Sequence, residues 1–262
     1  MRIHVLGCHG ADCLAGTTER SVRQESCGFL IDDSVLLDAG TVGARLTLAQ
    51  QRRIRFVLLS HLHFDHIKGL PTLADNLAEG CEEPVIVAAT EPVIQGLMDH
   101  VFNNKVYPNF FKLPNRDRPV FQAQVLEPGK PVTFGHVAVI PVPVNHAVPT
   151  VGYVVNDGQT AFLYSGDTYQ TEDIWSLGRT IPELKAAFIE TSFPDELGEL
   201  AKKSKHLTPA LFLKEFHKLG RPELPVYAYH MKPAFRTQIE QEIRRLGIEQ
   251  AAFLQEGQIV TL

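Results

Sequence analysis

The chain has no apolar run long enough for a secretory core or a membrane span. Its start, "MRIHVLGCHG", carries one arginine and passes at once into an apolar run that reads as a first core strand. No cleaved leader and no membrane partner are therefore expected, and the expected location is the cytoplasm. Paired CxxC spacing is also missing. The four cysteines, Cys8, Cys13, Cys27 and Cys81, read as free or buried thiols in a reducing compartment rather than as a disulfide frame. A metal site built from Cys8, Cys13 and Cys27 is a minor option. Nor is there a basic excess: 25 Lys and Arg against 30 Asp and Glu give a net charge of −5. Long nucleic acids are not favoured as partners, although a local basic patch could hold one phosphate. Repeats, low-complexity tracts and shifts of composition are absent too, which excludes a solenoid or a long linker.

What is present is an ordinary globular composition, 44% hydrophobic and 21% charged over 262 residues. The expectation is one domain spanning 1–262. Short apolar runs predict strands at Ile3–Leu6, Gly28–Ile31, Ser34–Leu37, Phe56–Leu59, Val85–Ala88, Val137–Val142, Gly152–Val155, Ala161–Tyr164, Ala186–Ile189 and Val226–Tyr229. Helical spacing predicts Ala44–Arg52, Gly69–Leu77, Glu91–Phe102, Asp195–Ser204, Thr208–Leu219 and Arg236–Leu246. Asn156-Asp157-Gly158 supplies a hairpin turn, and Thr208-Pro209 reads as a helix cap and first turn. Strands and helices mixed through one chain imply an α/β (α+β) fold, with two mixed sheets face to face under outer helices. The segment Val101–Gln122, rich in Asn, Pro and aromatics, reads as a functional loop or lid. The stretch between the first two strands reads as a cover for the site, with Arg20 and Arg23 more at home in solvent than on a phosphate.

Residues 60–70 read "SHLHFDHIKGL". His61 and His63 follow the strand "RFVLLS" at two-residue spacing, so they point the same way. Asp65 and His66 come next, on the turn into a helix. Imidazole and carboxylate suit zinc, manganese or iron. Four such groups cannot comfortably reach one tetrahedral ion, but they can serve two ions roughly 3.5–4 Å apart. Further donors stand at the C-terminal ends of three later strands: His146 in "NHAVPT", Asp167 in "SGD" and His230 in "YHMKP". Polar groups delivered by separate strand ends converge on one edge of a sheet.

In this order the motifs resemble the metallo-β-lactamase superfamily over essentially the whole chain. The resemblance implies an αβ/βα four-layer sandwich and a dinuclear site of two divalent ions, zinc first, with manganese or iron as alternatives. It implies that His61, His63 and His146 hold one ion, that Asp65, His66 and His230 hold the other, and that Asp167 bridges them. A bridging aspartate is similar to the phosphodiesterase, thioesterase and lactonase branches. The diiron redox branch usually has Glu where this chain has His63.

Glu190 in "FIETS", followed by His206 in "KHLTP", is similar to the phosphodiesterase branch shared by tRNase Z and the class II cyclic-nucleotide phosphodiesterases. Breaking a phosphodiester expels an alkoxide, a poor leaving group, so a nearby proton donor helps. His206 is the candidate donor and Glu190 the group that orients its ring. Asp65 is a second candidate catalytic residue, orienting the nucleophile. Asn145 could touch phosphate or brace a ligand. Tyr107, Phe64, Phe110 and Tyr169 could stack on a base or simply pack. "HVFNNKVYPNFFKLP" also resembles a stretch of the class II enzymes, with Tyr107-Pro108 in place of their aromatic-Pro pair. Their HxHLDHxxG pattern is met at His61, His63, Asp65, His66 and Gly69, with Phe64 replacing Leu and Pro71-Thr72 replacing aliphatic residues.

The expected activity is hydrolysis of a small phosphodiester, most simply a 3′,5′-cyclic nucleotide to the 5′-monophosphate. The partner is then a small molecule, and a homodimer is compatible with the chain. The alternatives are a tRNase Z-like nuclease, for which the usual long Gly/Pro-rich arm is missing, a thioesterase or lactonase of the glyoxalase II kind, and a non-catalytic ligand-binding protein on the same scaffold.

Overall fold

The computed structural model describes residues 1–17, 20–80 and 83–262. Two seven-stranded sheets form its centre. The first runs Ile259–Thr261, Arg2–Gly7, Gly28–Ile31, Val35–Ala39, Phe56–Leu58, Val85–Ala89, Phe121–Val125. The second runs Ala251–Phe253, Val226–Tyr229, Leu184–Glu190, Ala161–Tyr164, Val151–Asn156, Val137–Pro143, Val132–Phe134. Each sheet is antiparallel through one half and parallel through the other. The parallel strands of one sheet end on one edge, and that edge carries the functional side chains.

Three apolar cores separate four layers. Between the sheets, the Phe29 ring meets Tyr164, Phe188 and Tyr229 at centroid distances of 5.6, 5.8 and 5.8 Å. All four are fully buried, and such edge and tilted contacts add to the gain from burial. Outside the first sheet, Leu70, Leu73, Ala74 and Leu77 of the helix Leu70–Leu77 face inward, the i, i+3, i+4, i+7 stripe of an amphipathic helix. Outside the second, Ile174 and Trp175, Phe212 and Phe216, and Ile239 and Ile243 anchor three helices. Tyr153 donates its hydroxyl hydrogen to the Leu59 carbonyl at 2.7 Å, tying the sheets together beside the motif. No helix among the described residues is long and apolar enough to cross a membrane.

The αβ/βα sandwich and its two mixed sheets agree with the sequence expectation. The hairpin turn behaves as expected: Asp157 Oδ1 accepts from the Gln159 and Thr160 amides, and Gly158 takes a φ of 87°. Several boundaries differ. The helix expected over Ala44–Arg52 is confined to Leu48–Gln51, because Thr47 and Gln50 form a reciprocal cap that fixes its start. Four edge or near-edge strands escaped the pattern: Phe121–Val125, Val132–Phe134, Ala251–Phe253 and Ile259–Thr261. They are short and half exposed, so they show no apolar alternation. Cys13–Thr17 and Arg20–Gln24 pair as a separate hairpin where a covering loop was expected. The helix Asp173–Arg179 was also unforeseen; Trp175 holds it by donating its indole N–H to Glu215 at 2.6 Å.

The segment after Val101 is irregular up to residue 120. Its aromatics Tyr107, Phe110 and Phe111 pack with Phe102 and Phe121 on the outer face of the first sheet. Cys8 and Cys27 are buried free thiols, Cys13 is exposed, and Arg23 is exposed. The Arg20 side chain and Cys81 lie outside the described residues.

Candidate active site

All seven expected metal donors come together. His61 and His63 follow Phe56–Leu58, and His146 follows Val137–Pro143. Asp167 follows Ala161–Tyr164 and His230 follows Val226–Tyr229. Asp65 and His66 sit on the short helix Phe64–Ile67. His61, His63, His146 and Asp167 form one group of converging donor atoms. His66, His230 and Asp65 form the neighbouring one, with His230 Nε2 at 3.2 Å from His66 Nε2 and 3.3 Å from Asp65 Oδ2. Asp167 stands between them. Its Oδ2 is 3.7 Å from His61, 4.0 Å from His146 and 3.2 Å from His230, and its Oδ1 is 3.4 Å from His66.

The hydrogen-bond network assigns the tautomers. His66 Nδ1–H donates to Asp38 Oδ2 at 2.8 Å. Ser60 gives its hydroxyl hydrogen to the same carboxylate, so its oxygen accepts from His61 Nδ1–H at 2.9 Å. His146 Nδ1–H donates to the Lys205 carbonyl at 3.0 Å, and His230 Nδ1–H to Ser192 at 2.9 Å. Four imidazoles therefore turn Nε2 lone pairs inward, while His63 turns Nδ1 toward His146 Nε2 at 3.1 Å. Supporting partners that fix ring and tautomer in this way are the usual companions of metal-binding histidines.

This arrangement fits divalent ions. His61 Nε2 and Asp167 Oδ1 are buried with no hydrogen-bond partner among the described residues, which is costly unless something else satisfies them. The His66 and His230 nitrogens face each other at 3.2 Å with their Nδ1 protons already committed. Two lone pairs that close call for a shared cation. The protonation preferences of three of the histidines and of both carboxyls agree with that demand. Burial pushes His61 and His230 down, and burial with the neighbouring His146 pushes His63 down, so all three favour the neutral, ligating form. Burial alone would raise Asp65 and Asp167, yet His230 and His66 hold both carboxyls well below the usual carboxylate range. Burial also works against a charged His66, but Asp167 and Asp38 override it and push His66 up.

His206 and Glu190 meet as expected. His206 Nδ1 donates to Glu190 Oε1 at 2.7 Å, and the imidazole stacks on His230 at 5.3 Å and lies edge-on to His146 at 5.0 Å. Against the cost of burial, Glu190 raises the His206 pKa. Glu190 is fully buried and also accepts from the Thr168 amide and the Ser192 hydroxyl.

Three supporting groups were not foreseen. Asp38 holds His66, Ser60 and the Tyr164 hydroxyl together; it was hidden as an ordinary residue at a strand end. Ser192 links Glu190 to His230. Lys205 acts through its backbone carbonyl. Asp38, Lys205 and His230 all have positive φ, 53°, 60° and 66°, so the site stores some backbone strain.

The expected substrate contacts are more scattered. Phe64 stands 69% exposed between His63 and Asp65, free to meet a ligand. Asn145 commits its amide to the Gln170 carbonyl at 3.0 Å. Tyr107 spends its ring on Phe102 and Phe110, Phe110 is buried, and Tyr169 carries Lys205 over its face. A cavity of about 590 Å³ opens beside His146, walled by Pro92, Val125, Pro143, Val148 and Pro149, with Glu91 and Glu127 also lining it.

A 3′,5′-cyclic-nucleotide phosphodiesterase of Aliivibrio fischeri is 27% identical over 226 residues, 69% of this chain and 65% of its own. One from Schizosaccharomyces pombe is 31% identical over 97 residues, 37% of this chain and 26% of its own. The chain thus matches less than two thirds of the length of either relative. The structure of unliganded yeast PDE1 superposes with a TM-score of 0.79 at 20% identity, covering 100% of this chain and 99% of that one. The family model for the beta-lactamase superfamily domain matches residues 33–231, and the chain belongs to that superfamily.

Proposed function

We propose that this protein is a metal-dependent hydrolase of small phosphodiesters, using two divalent ions, zinc first, with a 3′,5′-cyclic nucleotide as its simplest substrate. The observation that carries this reading is the buried Glu190–His206 pair stacked against His230. A thioester releases a thiolate, which leaves without such a donor; a phosphodiester releases an alkoxide and needs one. The names of the two curated relatives point the same way. The nitrogen and oxygen donors of His61, His63, His146 and Asp167, with those of His66, His230 and Asp65 beside them, suit zinc, with manganese and iron as alternatives; the Cys27 thiol also lies near His66 and His230.

When bound, the ions supply Lewis acidity and bring a water toward deprotonation near neutral pH. His61, His63 and His146 would hold one, Asp65, His66 and His230 the other, and Asp167 would serve both. Asp65, whose side chain is 24% exposed, also orients the attacking water. Glu190 keeps the His206 Nδ1 proton in place, so that Nε2–H can pass to the departing oxygen. The cavity beside His146 takes the organic part of the substrate, and the exposed Phe64 ring offers a further contact.

The test is a hydrolysis panel on the metal-loaded protein: cyclic nucleotides, bis(p-nitrophenyl) phosphate, a precursor tRNA, a thioester and a lactone. Turnover confined to the last two would refute this reading, and turnover confined to the tRNA would make the protein a tRNase Z-like nuclease.

A pH profile tests the role of Glu190. A donor must carry its proton, so activity is present below the His206 pKa and is lost as pH rises through it. Glu190 raises that pKa. Glu190→Gln should therefore move the alkaline limb of kcat to lower pH while the acid limb stays in place. An unmoved alkaline limb would remove Glu190 from this role.

A further inference from the structure

The geometry points to Lys232 as a binding residue for the anionic phosphate of the substrate, an inference that rests on the phosphodiesterase reading above. Lys232 lies two residues after His230, and its amide donates to the Ser192 carbonyl at 3.3 Å. Its ammonium donates to the Gly10 carbonyl at 2.7 Å. The nearest carboxylate oxygen, Asp65 Oδ2, is 3.9 Å away, beyond hydrogen-bond distance. An ammonium has three donors, so two remain for a ligand, and the side chain is 29% exposed at the rim.

The ammonium also faces the right space. A methyl group at Gly10 would lie 2.9 Å from both Lys232 Nζ and His230 Cε1. The charge and the ring of a metal donor therefore flank one point. An incoming phosphodiester is an anion, and it approaches a site already holding Asp38, Asp65, Asp167 and Glu190. A cation on that approach offsets the repulsion and adds charge-assisted hydrogen bonds. Other nearby lysines are occupied: Lys68 pairs with Asp12, and the Lys205 ammonium lies 5.8 Å from the centre of the Tyr169 ring.

The experiment compares Lys232→Met and Lys232→Arg with the natural chain, all metal-loaded. Three quantities are read: the KM and kcat for bis(p-nitrophenyl) phosphate, the Kd of inorganic phosphate by titration calorimetry, and the metal content. Lys232→Met should raise both KM and the phosphate Kd by about 10-fold or more, with kcat changed less than about 3-fold and the metals retained. Lys232→Arg should recover most of the loss. Raising the salt should weaken phosphate binding in the natural chain more than in Lys232→Met, a difference that a purely structural role for the lysine would not produce. Unchanged KM and Kd in Lys232→Met would overturn the inference, and so would loss of a metal ion, which would make the residue a support for His230. If the natural chain hydrolyses no diester, the functional reading fails by itself, and the phosphate titration still decides the role of Lys232.

Discussion

Asp167→Ala should leave a folded protein that retains at most one ion per chain and hydrolyses diesters at least about 10³-fold more slowly. The reason is position. Asp167 is 1% exposed and lies within 4.0 Å of donor nitrogens from both groups, His61 and His146 on one side and His66 and His230 on the other. Among the described residues no other carboxylate near the centre touches both. Asp65 reaches His230, and Asp38 is committed to His66, Ser60 and Tyr164. An ion contributes several kcal/mol through charge stabilisation, so losing one accounts for a fall of that size. Asp167→Asn keeps the volume but removes the charge that would hold two cations side by side, and it should behave alike. Metal content after dialysis decides the matter, with circular dichroism as the check on folding. Two ions retained, with activity above a tenth of normal, would show that Asp167 is not shared.

The clustering of the seven candidate donors could be read from the sequence because most of them follow apolar strands, and strands running the same way in a sheet end on one edge. "RFVLLS" before His61 and "VYAY" before His230 left little freedom in where those side chains would fall. The supports were harder to see, for three physical reasons. Asp38 follows "VLL" like any residue closing a strand, and only its contact with a histidine 28 positions later gives it a role. The Lys205 group that matters is a backbone carbonyl, which is the same in every residue type. The left-handed backbone of Asp38, Lys205 and His230 is imposed by the tertiary fold. Edge strands such as Phe121–Val125 escaped for a related reason: periodicity reports burial, and only Phe121 of that strand is fully buried. Lys232 was in plain view in "YHMKP", yet nothing in the local pattern separates a lysine facing a donor ring from one facing solvent.

His206→Ala should lower kcat on a cyclic nucleotide by about 10²–10⁴-fold, the usual contribution of a positioned general acid, and should cost far less on bis(p-nitrophenyl) phosphate. The difference lies in the leaving group. The cyclic nucleotide departs as an alkoxide and needs the proton as the bond breaks, whereas p-nitrophenolate leaves readily without it. The two substrates share the metal donors, so a variant that merely disturbed the site would slow both alike. The fold should survive the change. Glu190 loses one partner but still accepts from the Thr168 amide at 3.0 Å, the Ser192 hydroxyl at 3.0 Å and the Leu207 amide at 3.3 Å, so its buried charge stays solvated by the protein. His206→Gln, which fills more of the space beside Phe193 and His230, controls for the cavity left by alanine. Steady-state rates on the two substrates at equal metal content give the answer. Equal losses on both would reduce His206 to a structural neighbour of His146 and His230. A loss confined to the alkoxide substrate would assign it the departing oxygen, and with it the choice of phosphodiesters over thioesters.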